Sequence, residues 1–108
     1  MAREPLPPVE LLIEQLHSAD WTARCDAARL LGQTRDPRAV DALLPDLNDG
    51  DWRVRRNAAQ ALGALRDPRA VEPLSRLVHD PDETAQAAAV WAGAALQKVL
   101  LYRNQFGM

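Results

Sequence analysis

The sequence predicts an all-α fold: a short right-handed α-solenoid of about three helical hairpins, six helices with a period of 31 residues. Three observations predict it. Asp20 to Gly50 aligns without gaps on Asp51 to Pro81, with 15 identities in 31 positions. Such a period marks stacked supersecondary units that cannot bury their apolar faces alone. Ala and Leu dominate while aromatic residues make up 5% of the 108, a mix that favours helix over sheet. Each half of the repeat also opens on an Asp placed to accept the orphan N–H groups of a helix start.

The elements follow in order. A half repeat (6–18) holds a helix over 6–17, because Val9, Leu12, Ile13 and Leu16 fall one period before Val40, Leu43, Leu44 and Leu47. The repeat 20–50 begins at the Asp20 cap, with a helix over 20–33 whose core face is Ala23, Ala27, Leu30 and Leu31. Gly32 and Gly63 sit where a helix stops or meets a neighbour closely. Asp36-Pro37 starts the next helix, over 37–48, since proline suits the first helical position. Pro45 lies inside it and should bend it or shift its start. The repeat 51–81 holds helices over 51–64 (Val54, Ala58, Ala61, Leu62) and 68–79 (Val71, Leu74, Val78), where Pro73 lies early enough to be tolerated. A terminal helix over 82–102 follows Asp82, and a tail covers 103–108. The Asp-Pro break is missing after Leu96, so one long helix is expected rather than two.

Composition bounds the function. The length fits one domain, 1–108. A net charge of -2 gives no general attraction to nucleic acid or anionic lipid. The single cysteine, Cys25, allows no internal disulfide and no cysteine-based zinc site; a plain, partly buried thiol is expected. Met1 to Pro8 has no long apolar run, and Ala87 to Leu96 is too short to span a bilayer. The expected location is cytoplasmic.

The run D-W-x-V-R-x-x-A-A-x-A-L-G-x-x-x-D-P-R-A-V-x-P-L, from Asp51 to Leu74, resembles the HEAT-like repeats of the phycobilisome-lyase type. The run from Asp20 to Leu43 does so too, with Ala23 in the Val position. The resemblance implies first helices on a convex side and second helices lining a concave face, with protein–protein recognition as the default role. Some relatives are subunits of bilin lyases or isomerases. Others, with metal-ligating His-Glu pairs, are hydroxylases; no His-Glu pair occurs here.

The expected function is a non-catalytic adaptor that binds a partner protein on the second-helix face. Glu10, Asp41 and Glu72 are one period apart and form an acidic row, although acids also suit helix starts. Glu14, Pro45 and Arg76 form the next equivalent set, and His17, Asn48 and His79 another. The expected binding residues are Glu10, Glu14, Asp41, Glu72, Arg76 and His79. No metal or cofactor is expected: the two histidines lie two helix spacings apart, about 16–20 Å, whereas zinc ligands sit about 2 Å from one ion. Trp21 and Trp52 recur with the repeat and should pack between helix pairs. Trp91 stands where Arg29 and Gln60 stand in earlier repeats, on a helix that is apolar nearly all round. Trp91, Leu100 and Tyr102 are therefore expected to form an assembly contact, with a homodimer as one form; the competing expectation is that Val99 to Phe106 folds back over the helix. Arg53, Arg55, Arg56, Arg66 and Arg69 make the middle repeat locally basic, yet acids neighbour them and no aromatic residue is expected to interleave. Arg24 and Arg55 should pair with loop acids such as Asp20, Asp51 or Asp49. A bilin lyase-like accessory subunit is the alternative, and a nucleic-acid-binding module a weaker one.

Overall fold

Asp20, Asp36, Asp51 and Asp67 each hold an extended backbone and accept the amide of the residue two places on, at 2.9 to 3.0 Å. These four caps set the helix starts in a computed structural model that describes residues 5–105, with side chains up to Lys98. The elements are α1 (Val9–Gln15), α2 (Trp21–Leu31), α3 (Pro37–Leu43), a 3-10 turn (Leu44–Asn48), α4 (Trp52–Leu65), a second 3-10 turn (Pro68–Ala70), α5 (Val71–Leu77) and α6 (Glu83–Gln105). There are no strands among the described residues. The layout is the expected α-solenoid: first helices α2, α4 and α6 in one layer, second helices α1, α3 and α5 in the other.

Prolines account for the departures from the expected boundaries. α1 starts at Val9, not Leu6, because Pro8 sits at its cap with φ −56° and ψ 142°. A proline disfavours helical geometry in the residue before it, and Pro7 and Pro8 are adjacent. Pro45 has no N–H to continue the ladder, so the second helix of the first repeat changes from α to 3-10 at Leu44. The second helix of the next repeat begins as 3-10 at Pro68 and becomes α only at Val71.

The core runs along both layers. Leu12, Leu31, Leu43, Leu62, Leu74 and Leu96 are all but fully buried, each worth roughly 1.5–3 kcal/mol against leaving it in water. Val71 and Val78 were expected in this core. Val71 is 37% exposed and Val78 is only partly buried; Leu77 is buried instead. The 3-10 start of that helix is wound more tightly, which changes which side chains face inward.

Gly32 and Gly63 work by close approach, not by turning the chain. A Cβ on Gly32 would lie 2.9 Å from the Ala61 Cα, and one on Gly63 would lie 2.8 Å from the Ala92 Cβ. The first helices therefore touch backbone to backbone. The reversal after them is made by Arg35 (φ 56°) and Arg66 (φ 57°), both in left-handed geometry.

Candidate functional site

Arginine and aspartate tie the repeats together in two rows. In the loop row, Arg24 donates to Asp49 at 3.0 and 3.2 Å and to the Ser18 carbonyl at 2.8 Å. One period later Arg55 donates to Asp80 at 2.7 and 3.0 Å and to the Asp49 carbonyl at 2.8 Å. One period later again Gln86 donates to the Asp80 carbonyl. Asp49 and Asp80 also accept the amides of the cap residues Asp51 and Asp82, each at 2.9 Å. Arg55 and its hydrogen bond hold the Asp80 carboxyl below its usual range. The expected pairing with loop acids is realised at Asp49, and Asp80 is the partner that the sequence did not single out.

The second row lies along the second helices. Arg38 donates to Asp36 on its own helix start and to Glu10 on α1, the latter at 2.6 Å. Arg69 does the same one period on, to Asp67 and, at 2.8 Å, to Asp41. The acidic row is therefore a ladder of alternating sign over its first two rungs. Arg38 draws the Glu10 carboxyl down. Glu72, the third rung, is highly exposed and meets only Arg76, one turn along, at 3.5 Å. Glu14 is exposed on α1 and lies outside both rows.

Arg76 and His79 line a groove of about 530 Å³ between the 3-10 turn 44–48 and α5. Its walls are Leu44, Leu47, Pro73, Leu77 and Pro81, with Asn48, Asp49, Arg55 and Asp80 completing it. It has a local cause: Pro45 tightens one wall into a 3-10 turn, and Pro73 removes a donor from the other. The structure thus brings Arg76 and His79 together, leaves Asp41 bridged to Arg69 farther along the same seam and Glu10 bridged to Arg38 on the preceding one, and keeps Glu14 exposed on α1.

Asp46 was not anticipated. It stands one period before the buried Leu77, and its Oδ2 is buried with no hydrogen-bond partner. Burial, reinforced by the charge of Asp49, pushes its carboxyl up to about 6, against the opposing pull of His17 and Arg24. The only sequence signal was a carboxylate at a position where the next repeat has leucine.

The aromatic expectation needs correction. The Arg53 guanidinium carbon lies 3.3 Å from the centre of the Trp21 ring and 5.9 Å from that of Trp52, and Arg56 lies 5.3 Å from Trp52. Two arginines and two tryptophans therefore interleave along the starts of α2 and α4, because a 31-residue period sets Trp21 beside the helix turn that carries Arg53. The contact also bridges the two repeats, as expected for Trp21. Asp51 pairs with Arg53 at 2.8 Å and so offsets the charge of one of the two arginines in the strip. Cys25 is partly buried near this strip, and burial raises its thiol.

Trp91 packs its Cζ3 edge against Gly63, where an added Cβ would come within 2.8 Å, yet 53% of the residue stays exposed. α6 is one continuous helix from Glu83 to Gln105, so residues 99–105 extend it instead of folding back, and Phe106 lies outside the described residues. The side chains of Leu100 and Tyr102 lie outside the described residues. Among the described residues, no cluster of three or more His, Cys, Asp and Glu side chains is arranged to hold a metal ion, and no helix is long and apolar enough to cross a membrane.

The sequence profile of HEAT repeats matches residues 9–94. The chain belongs to the HEAT repeat family. Among solved structures it is similar to the complex of CpcE and CpcF of phycocyanin lyase from Nostoc sp. PCC7120, with 36% identity and a TM-score of 0.79 over 89% of this chain and 40% of that one. It is also similar to human deoxyhypusine hydroxylase in complex with glycerol, with 26% identity and a TM-score of 0.77 over 83% of this chain and 32% of that one. The chain thus spans well under half the length of either. No curated protein matches it in sequence.

Proposed function

We propose that this HEAT repeat chain is a non-catalytic, cytoplasmic adaptor that binds a partner protein on its second-helix face. The observation that carries the reading is the groove between residues 44–48 and α5. It offers leucine and proline walls for an apolar anchor, with Arg76, Glu72 and His79 at or beside its rim to orient it. An apolar floor with a polar rim is the usual anatomy of a protein interface. The surface is preformed by the core beneath it, so little ordering entropy is lost on binding. Asp41 extends the contact along the groove's seam, and Glu10 and Glu14 extend it onto α1.

The test uses residues that hold no repeats together. Glu72→Lys, Arg76→Glu and His79→Ala lie at the groove and leave both arginine rows intact. A partner is isolated from the source cells by crosslinking, and its affinity is then measured by calorimetry. The triple variant should weaken it at least tenfold with an unchanged Tm, a loss of about 1.4 kcal/mol or more. Unchanged affinity would remove the site from this groove. The likeness to the phycocyanin lyase complex favours one second reading, an accessory subunit of a bilin lyase. That reading requires the absorption spectrum of added bilin to shift on mixing; an unchanged spectrum discards it.

A further inference from the structure

α6 carries an exposed stripe whose residue spacing is symmetric about its centre. Glu83, Ala87, Val90, Trp91, Ala94 and Lys98 are all exposed. At 100° per residue they fall within an arc of about 100° on one side of the helix. The stripe is centred between Val90 and Trp91: Ala87 and Ala94 flank that point equally, and so do Glu83 and Lys98. It is also the surface through which earlier helices meet their successors. Val90 stands one period after Ala28 and Ala59, both fully buried, yet is itself 60% exposed. Ala94 stands one period after Gly32 and Gly63, the two residues that touch the next helix. A helix lying on this stripe thus meets small residues at Ala87 and Ala94, on either side of the bulkier Val90 and Trp91.

We infer that this stripe pairs with itself: two copies associate about a two-fold axis, with their α6 helices antiparallel and crossing at Val90 and Trp91. Charge complementarity selects a second copy as the occupant. In this register Glu83 of each copy faces Lys98 of the other, and Ala87 faces Ala94, so the backbones approach closely. A parallel pair would set Glu83 against Glu83 and Lys98 against Lys98. The outer face of Trp91, left open by its contact with Gly63, is covered by the Val90 side of the partner copy. An isologous contact of this kind closes as a dimer rather than growing as a filament. The contact spans about 23 Å of helix, a small interface of the kind that weak, transient association uses. The inference is independent of the groove, because it uses the other helix layer.

Sedimentation velocity on the intact protein, from about 5 to about 500 µM at low salt, covers the expected range. The expected result is a monomer–dimer equilibrium. Glu83→Lys and Lys98→Glu should each weaken it about tenfold, since each breaks both symmetric pairs and sets like charges together. The double variant E83K/K98E should restore the original Kd, because both pairs are reversed. Far-UV circular dichroism confirms that all three variants remain folded. A monomer throughout overturns the inference. A dimer indifferent to the single reversals, or one that the double reversal fails to restore, also overturns it. A complex that forms only with another protein assigns the stripe to that protein instead.

Discussion

Arg55 holds Asp80 through two nitrogens, at 2.7 and 3.0 Å, with only 14% and 5% of the two side chains exposed. The same guanidinium donates to the Asp49 carbonyl, and Asp80 in turn accepts the amide of the Asp82 cap. One arginine thus joins the start of α4, the loop before it and the loop before α6. Removing one partner of such a buried pair leaves the other charge unsatisfied. Arg55→Ala and Asp80→Ala should each cost about 3 kcal/mol, and the double variant much less than their sum. Urea unfolding of the three variants checks this; additive losses would show that the two residues act separately.

Asp46 should make the protein less stable as pH rises. Its folded carboxyl keeps a proton up to about 6, whereas an unfolded one releases it near 3.8. Its stabilising contribution is therefore complete below pH 3.8 and is lost as pH rises through about 6, by up to about 3 kcal/mol. Asp51 has the opposite sign. Arg53 holds it at about 2, so its contribution is present above pH 3.8 and disappears as pH falls through about 2. Asp46→Leu supplies the residue found one period later and should raise Tm at pH 7.5 while removing the loss between pH 4 and pH 6.5. A variant with the same Tm profile as the parent over that window would refute the assignment.

The glycines divide by environment. Gly63→Ala drives a Cβ to 2.9 Å from the Ala92 backbone, and Gly32→Ala does the same at Ala61. Each should destabilise by about 1–3 kcal/mol through overpacking. Gly93→Ala meets nothing within 4 Å in the middle of α6, and should stabilise by about 0.5–1 kcal/mol through helix propensity. Thermal melts of the three single variants decide it by sign alone.

Trp21 should report on the seam between the first two repeats. Arg53→Ala uncovers the ring that the guanidinium now shields at 3.3 Å. With Trp52 and Trp91 changed to Phe, the emission should move to longer wavelength. It should cost about 1 kcal/mol in stability, as cation–π contacts are worth at partly exposed sites. Unmoved emission would mean that the stack does not shield the ring.

What the sequence makes legible follows from how local each feature is. The caps at Asp20, Asp51 and Asp67 and the Asp-Pro helix starts depend on a few adjacent residues, and their positions could be read directly. The core leucines follow from helical spacing. The Arg38–Glu10 and Arg69–Asp41 bridges span 28 residues; they required knowing how far one second helix is shifted against the next. Glu10 and Asp41 could be read as a row, but not as a row already answered by arginine. The exposure of Val71 depended on a 3-10 start that no spacing rule announces. The groove arose from two prolines, Pro45 and Pro73, each of which could be judged alone but whose joint effect is a matter of packing.

The two layers differ in what they resist. Along α2, α4 and α6, glycine meets alanine with no space left between backbones, so this side cannot be compressed. Along the second helices the groove leaves room. The stack is thus a row of plates hinged along one edge. A fan-like opening about the Gly32–Ala61 and Gly63–Ala92 contacts would stretch the Arg38–Glu10 and Arg69–Asp41 bridges while leaving the first-helix layer in place. Whatever occupies the open edge sets the angle between neighbouring plates, and that angle is handed on to every element carried farther along the row.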